Sequence, residues 1–221
     1  MPADPRTGST TRVERTVVPA ISPRRERTRE RLLDAAFDVF ARLGVQAASI
    51  EAICEAAGFT RGAFYSNFAN KEELFLALTE RETRVQLARL EEAATGLDPA
   101  TVRADIREAV RCVVASVMPD PAAKQSWSIM ALEFELLALR DAQVAARYAT
   151  QDRRLREELA DSLTRLLAGI GLRFAVDPHT GVDLLLGAFE SGQRATLLAG
   201  GGEDRASALI EAVVDLLVTP A

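Results

Sequence analysis

The chain has almost no cysteine and almost no histidine. Its two cysteines, Cys54 and Cys112, stand 58 positions apart in 221 residues. So sparse a supply argues against a disulfide scaffold or a zinc cluster and fits a reducing compartment. His179 is the sole histidine, too little for an ordinary metal site or a family of Ser-His-Asp or Glu-x-x-His arrangements. A glycine-rich phosphate loop is also missing. These gaps argue against an enzyme, and neither a metal nor a cofactor is expected. No apolar run reaches the roughly 18 residues that a membrane span needs. The first 23 residues lack the apolar segment of a secretory signal. The expectation is a cytoplasmic protein with no membrane partner. Lysine is absent from the first 70 residues, where ten arginines outnumber eight acidic residues. That end carries +2, and residues 71–221 carry −7. A basic end on an acidic body suits a molecule that docks one end on phosphate.

Period-two alternation is missing too, and helical spacing takes its place. Residues 1–22, rich in Pro, Thr, Ser and Arg, read as a disordered basic arm. Ser22-Pro23 opens a helix, with Ser capping and Pro in the first helical position. Apolar residues then recur at 32, 33, 36, 37, 40 and 43 until Gly44. Ser49 caps a second helix that ends at Gly58, Thr60 caps a third, and Asn70 with Glu73 opens a fourth that runs to about Thr95. Asp98-Pro99, Asp120-Pro121 and Asp177-Pro178 each predict a helix start. The long segment after Asp120 divides near Arg140-Asp141, into about 121–139 and 142–168. The last helix spans 203–218, with Glu203 and Asp204 placed against its N-terminal dipole. The expected class is all-α, with about nine helices and no repeats.

Ser49 to Phe68, SIEAICEAAGFTRGAFYSNF, is the most informative stretch. It reads as two short helices joined by a tight turn at Gly58-Phe59, the anatomy of a helix-turn-helix. At 100° per residue Phe68 falls beside Phe64, so both rings plug a core made with Ile50, Ile53, Leu33 and Phe37. Cys54 shares a face with Ile50, Ile53 and Ala57 and reads as a small core residue. Gly62 and Ser66 fall on the opposite side from the rings, flanked by Ala63 and Tyr65. A glycine costs about 1 kcal/mol in a helix relative to Ala, which makes sense where a duplex must come close. Arg61 offers a fork able to read guanine, Tyr65 a ring and hydroxyl, and Ser66 and Asn67 short hydrogen-bonding groups. Lys71 and the amides at the helix starts can hold phosphates. The run Arg24, Arg25, Arg27, Arg29 and Arg31, interleaved with Glu26 and Glu30, is either a phosphate-contacting or a solvated face.

The residues LLDAAFDVFARLG, the G-F-T turn, A-F-Y-S-N-F and N-K-E-E-L-F together resemble the N-terminal domain of the TetR family of bacterial transcription regulators, over roughly residues 25–80. The resemblance implies a three-helix DNA-binding head at 23–80 and a larger helical effector-binding and dimerisation domain at 81–221. It implies a homodimer on a short pseudo-palindromic operator of double-stranded DNA, most often a repressor released by a small molecule. An activator of the same fold, or a helical adaptor with a vestigial head, is the alternative. Carried over by position, the DNA contacts fall on Ser49, Thr60, Arg61, Gly62, Ala63, Tyr65, Ser66, Asn67 and Lys71. Asn67 and Ser66 depart from the His and the bulkier aromatics frequent in the family.

The helices 178–198 and 203–218 are apolar over more than one face, so part of that surface needs a partner. Paired with a second copy they would form a four-helix bundle, with Leu185, Phe189, Val213, Leu216 and Leu217 at the interface. Trp127, Met130 and Phe134 share a helix face, and Gln125 and Glu133 could add polar contacts. This set is either the wall of a small-molecule site or simply core.

Overall fold

The computed structural model describes residues 22–97, 102, 108, 121–200 and 205–221. The basic arm, the starts expected at Asp98-Pro99 and Asp120, Cys112, and the pair Glu203-Asp204 lie outside them. The described chain is helical throughout apart from one short ribbon, which places it in the all-α class.

Local capping chemistry sets the helix boundaries of the N-terminal head. Helix α1 runs Pro23–Leu43, and the Ser22 hydroxyl accepts a hydrogen bond from the Arg25 amide at 3.3 Å. Helix α2, Ile50–Ala57, opens with Ser49 Oγ accepting from Ala52 N at 3.1 Å. It stops at Gly58, whose φ of 69° lies in the left-handed region that glycine enters at no steric cost. Helix α3, Arg61–Tyr65, is capped by Thr60 Oγ1, which accepts from Ala63 N at 3.2 Å. Helix α4, Lys71–Thr95, begins with a reciprocal pair. Asn70 Oδ1 accepts from Glu73 N at 2.8 Å, and Glu73 Oε2 reaches back to Ala69 N at 2.7 Å.

The body contains α5 (Pro121–Arg140), α6 (Ala142–Gly169), α7 (Pro178–Leu198) and α8 (Arg205–Leu217). The break between α5 and α6 falls where the sequence places it, because Asp141 caps α6 by accepting from Gln143 N and Val144 N. Two strands, β1 (Leu172–Phe174) and β2 (Val218–Pro220), pair antiparallel, with Leu172 opposite Pro220. The sequence reading has no strand there. Three residues are too few for an alternating pattern, and the pairing joins segments more than 40 positions apart.

One core serves the head and crosses into the body. Leu32, Leu33, Ala36, Val39 and Phe40 of α1 meet Ile53 and Ala57 of α2, then Phe64, Phe68, Leu74, Phe75 and Leu78. Met130 and Phe134 of α5 complete it. The Phe75 and Phe134 rings stack with centroids 4.2 Å apart. α5 is therefore packed into the structure that holds α2 and α3.

Candidate nucleic-acid interface

The geometry of α3 follows from its two aromatic anchors. Phe64 is fully buried, Phe68 is 1% exposed, and their rings lie 5.9 Å apart. The helix itself ends at Tyr65, yet Phe68 N still donates to Phe64 O, so the turn keeps both rings on one side. On the other side Arg61, Gly62, Tyr65 and Ser66 are exposed and Ala63 is half-buried. A Cβ built at Gly62 would meet only Thr60 Oγ1, at 3.7 Å. No other part of the described chain covers this face at that position. Five helical residues thus produce a short rod, held from behind and bare in front.

Three arginines of α1 clamp the helix-turn-helix from behind. Arg25 donates to Ser66 O at 2.9 Å and to Asn67 Oδ1 at 3.4 Å. The Arg29 guanidinium lies 4.5 Å from the centroid of the Phe68 ring. Arg31 caps the end of α2 by donating to Ala57 O at 2.8 Å, and it sits over the Phe59 ring. Sequence reasoning leaves this run as phosphate-contacting or solvated. Helical periodicity places the arginines on α1 but carries no information about which distant carbonyl each one meets.

The outward set is brought together by two bridges. Arg61 Nη1 contacts Glu51 Oε1 at 2.6 Å, linking the first turn of α3 to the first turn of α2, and Arg61 Nη2 approaches the Tyr65 hydroxyl at 3.4 Å. That hydroxyl and the Glu51 carboxylate hold the guanidinium pKa above its ordinary value. Glu51 is absent from the set that sequence reasoning names. Lys71 Nζ donates to Gln46 O and Ala48 O, both at 2.9 Å, and so braces the loop before Ser49. Partial burial lowers the Lys71 pKa. Ser49 and Thr60 are exposed caps whose oxygens accept from their own helices. An ammonium has three donors and a hydroxyl keeps its own, so all three residues retain hydrogen-bonding capacity toward a phosphate.

Asn67 requires a correction. It is 9% exposed, and its amide donates to Ala63 O at 2.8 Å and to Ser66 Oγ at 3.3 Å. Its oxygen accepts from Arg25. Its polar atoms are spent on the turn after α3, so it positions Ser66 rather than facing outward. Cys54 is buried, as its face predicts, and desolvation and then Glu51 push its thiol pKa up. That favours the inert thiol over the thiolate.

Residues 32–78 match the profile of bacterial regulatory proteins, tetR family. Over these residues the chain carries a TetR-family head. The chain is 41% identical over 76 residues to the HTH-type transcriptional regulator TtgR of Pseudomonas putida. That stretch covers 34% of this chain and 36% of TtgR, so the chain spans about a third of the length of the curated relatives it matches. Beyond the head the likeness is one of fold. The structure of SmeT, the repressor of the Stenotrophomonas maltophilia multidrug efflux pump SmeDEF, aligns with 24% identity and a TM-score of 0.56, over 86% of this chain and 90% of SmeT. The fatty acid degradation regulator FadR of Bacillus halodurans aligns with 19% identity and a TM-score of 0.62, over 90% of this chain and 96% of FadR.

In the body the other predicted residues divide between core and surface. The set Trp127, Met130, Phe134, Gln125 and Glu133 does not line one cavity. Met130 and Phe134 are sealed in the head core, and Gln125 is exposed. Glu133 Oε2 accepts from Val45 N at 2.6 Å, and its carboxylate fills the space beside Gly44. Trp127 is half-buried, with its ring 5.3 Å from Phe37, at the edge of a shallow charged cleft. The bundle set also divides. Leu217 is 6% exposed and packs inside the chain, and the half-buried Phe189 ring has Lys124 of α5 at 5.9 Å. Leu185 and Val213 are half-buried, and only Leu216, at 78% exposure, points outward. With Leu216, the large outward apolar residues of α7 and α8 are Leu184, Leu198 and Leu209. A wheel drawn for each helix alone cannot say which of two apolar faces the neighbouring helix takes.

Proposed function

We propose that this chain is a transcription regulator that binds a short pseudo-palindromic operator as a homodimer, represses from it, and leaves it when a small molecule binds. The observation that carries the reading is the bare face of α3, Arg61-Gly62-Tyr65-Ser66, held rigid from behind by Phe64, Phe68 and three arginines. A rod so anchored fits a major groove with its small residues toward the bases and Ser49, Thr60 and Lys71 toward the backbone. Glycine at 62 and alanine at 63 keep the approach close.

The dimer is supported by the outer faces of α7 and α8. Ala208, Leu209, Ala212 and Leu216 form an exposed stripe on α8, and Leu184, Gly187, Ser191 and Leu198 form another on α7. Two copies of this pair would bury both stripes in a four-helix bundle. Two recognition helices about 34 Å apart then read the two half-sites. Release is supported by a cleft of about 820 Å³ between α4 and α6, bordered by Arg29 and Glu73 of the head and by Gln151, Arg154 and Leu155 of the body. A molecule seated there touches both parts. One that fits only the DNA-incompetent arrangement shifts the population away from the operator.

Selection of duplexes from a random library, followed by sequencing, tests the reading. The expected result is a two-half-site consensus whose binding weakens steeply with salt. Tyr65→Ala should reduce affinity for that duplex by about 1–3 kcal/mol. Absence of any enrichment at low ionic strength would overturn the proposal.

A further inference from the structure

We infer that Glu51 sets the sequence specificity of the interface by positioning Arg61. The inference rests on the operator-binding reading and deepens it. Glu51 stands in the first turn of α2, and Arg61 is the first residue of α3. Their side chains are 57% and 60% exposed, yet meet at 2.6 Å. The pair therefore lies in the open, beside the bare face of α3.

A carboxylate at such a place works against binding. Every phosphate of the duplex repels it, and Arg61 spends one donor on it that a phosphate could have used. Nonspecific affinity would improve without it. What it supplies is direction. An arginine has several rotatable bonds and a planar fork, and it discriminates between bases only when that fork is presented at a fixed angle. Glu51 holds Nη1, and the Tyr65 hydroxyl lies near Nη2. The guanidinium is thereby fixed at two corners before the duplex arrives. Its remaining donors can meet a purine O6 and N7 pair without first losing rotamer freedom. The same carboxylate disfavours any register that would bring a base acceptor or a phosphate against it, which is selection by repulsion.

Four proteins decide the matter: wild type, Glu51→Gln, Arg61→Lys and the double variant. The probes are the duplex that wild type selects from a random library and a shuffled duplex of equal length. The readout is the ratio of the two affinities at fixed salt. Glu51→Gln should tighten binding to the shuffled duplex while lowering the ratio by about tenfold. Arg61→Lys keeps the charge and loses the fork, so it should lower the ratio to a similar degree. In the Arg61→Lys background, Glu51→Gln should change the ratio by less than about twofold, because there is no fork left to position. Library selection with Glu51→Gln should relax one base pair per half-site and leave the others unchanged. Losses that multiply in the double variant, or a ratio that Glu51→Gln leaves at the wild-type value, would overturn the inference alone. A wild-type protein with no preference between the duplexes would overturn the operator reading and this inference with it.

Discussion

Arg25, Arg29 and Arg31 end on acceptors and rings of the chain itself, so much of the positive charge at the front of the molecule is structural. Each guanidinium secures a place that α3 cannot secure alone, since five helical residues offer few intrahelical hydrogen bonds. Glu133 does comparable work from the body. Its carboxylate accepts from Val45 N and occupies the space a side chain at Gly44 would take, where φ is 81°. Glu133→Ala should cost about 1–3 kcal/mol in urea unfolding, the range for a hydrogen bond to a charged group, whereas Glu133→Gln should retain much of it. Tyr148 offers a pH test. Burial, with Asp152, Glu135 and Glu190 nearby, raises its pKa from 10.0 to about 12. Below pH 10 the folded and unfolded chains hold the same phenolic proton. Between 10 and about 12 the unfolded chain sheds it and the folded chain keeps it, so stability falls as pH rises. Tyr148→Phe should remove this part of the alkaline loss, read as a smaller fall in melting temperature between those pH values.

Helix boundaries were legible wherever a cap made them. Ser22, Ser49, Thr60, Asn70, Asp141 and Asp177 all accept from amides two or three residues on, an interaction written entirely in neighbouring residues. Packing between elements was not legible. Gly192 of α7 shows why. A Cβ there would lie 2.4 Å from the Ala206 Cα of α8, so the two backbones touch. Nothing in the sequence of α7 distinguishes this glycine from Gly187, which has open space around it. Gly192→Ala should force the helices apart and cost about 1–3 kcal/mol, read as a lowered thermal midpoint. Gly187→Ala should fold as wild type does. The β1–β2 ribbon escaped for a related reason. Its strands gain their identity only from each other.

At the scale of the whole molecule, the head and the body share a core through Phe75, Met130 and Phe134, and the outer faces of α7 and α8 carry the exposed leucines of the proposed dimer. Leu209 and Leu216 are 41% and 78% exposed on that surface. Replacing both by Glu should leave the monomer folded and shift sedimentation from dimer to monomer. Affinity for a two-half-site duplex should then drop steeply, and binding to an isolated half-site should stay as it is. A dimer that survives both charges would place the interface elsewhere.

The sequence by itself determined the all-α class, the helix starts and the anchoring of α3, because caps, turns and 3.6-residue periodicity act over a few neighbouring positions. It determined the outward character of Arg61, Gly62, Tyr65 and Ser66 through the two rings behind them. Only the tertiary structure decided that Asn67 turns inward and that Glu51 meets Arg61. It alone decided that Glu133 and Met130 serve the head, and that α8 shows Leu216 while hiding Leu217. Those outcomes depend on which of several chemically suitable partners a fold brings within 3 to 4 Å, and that choice is made by contacts between residues far apart in the chain.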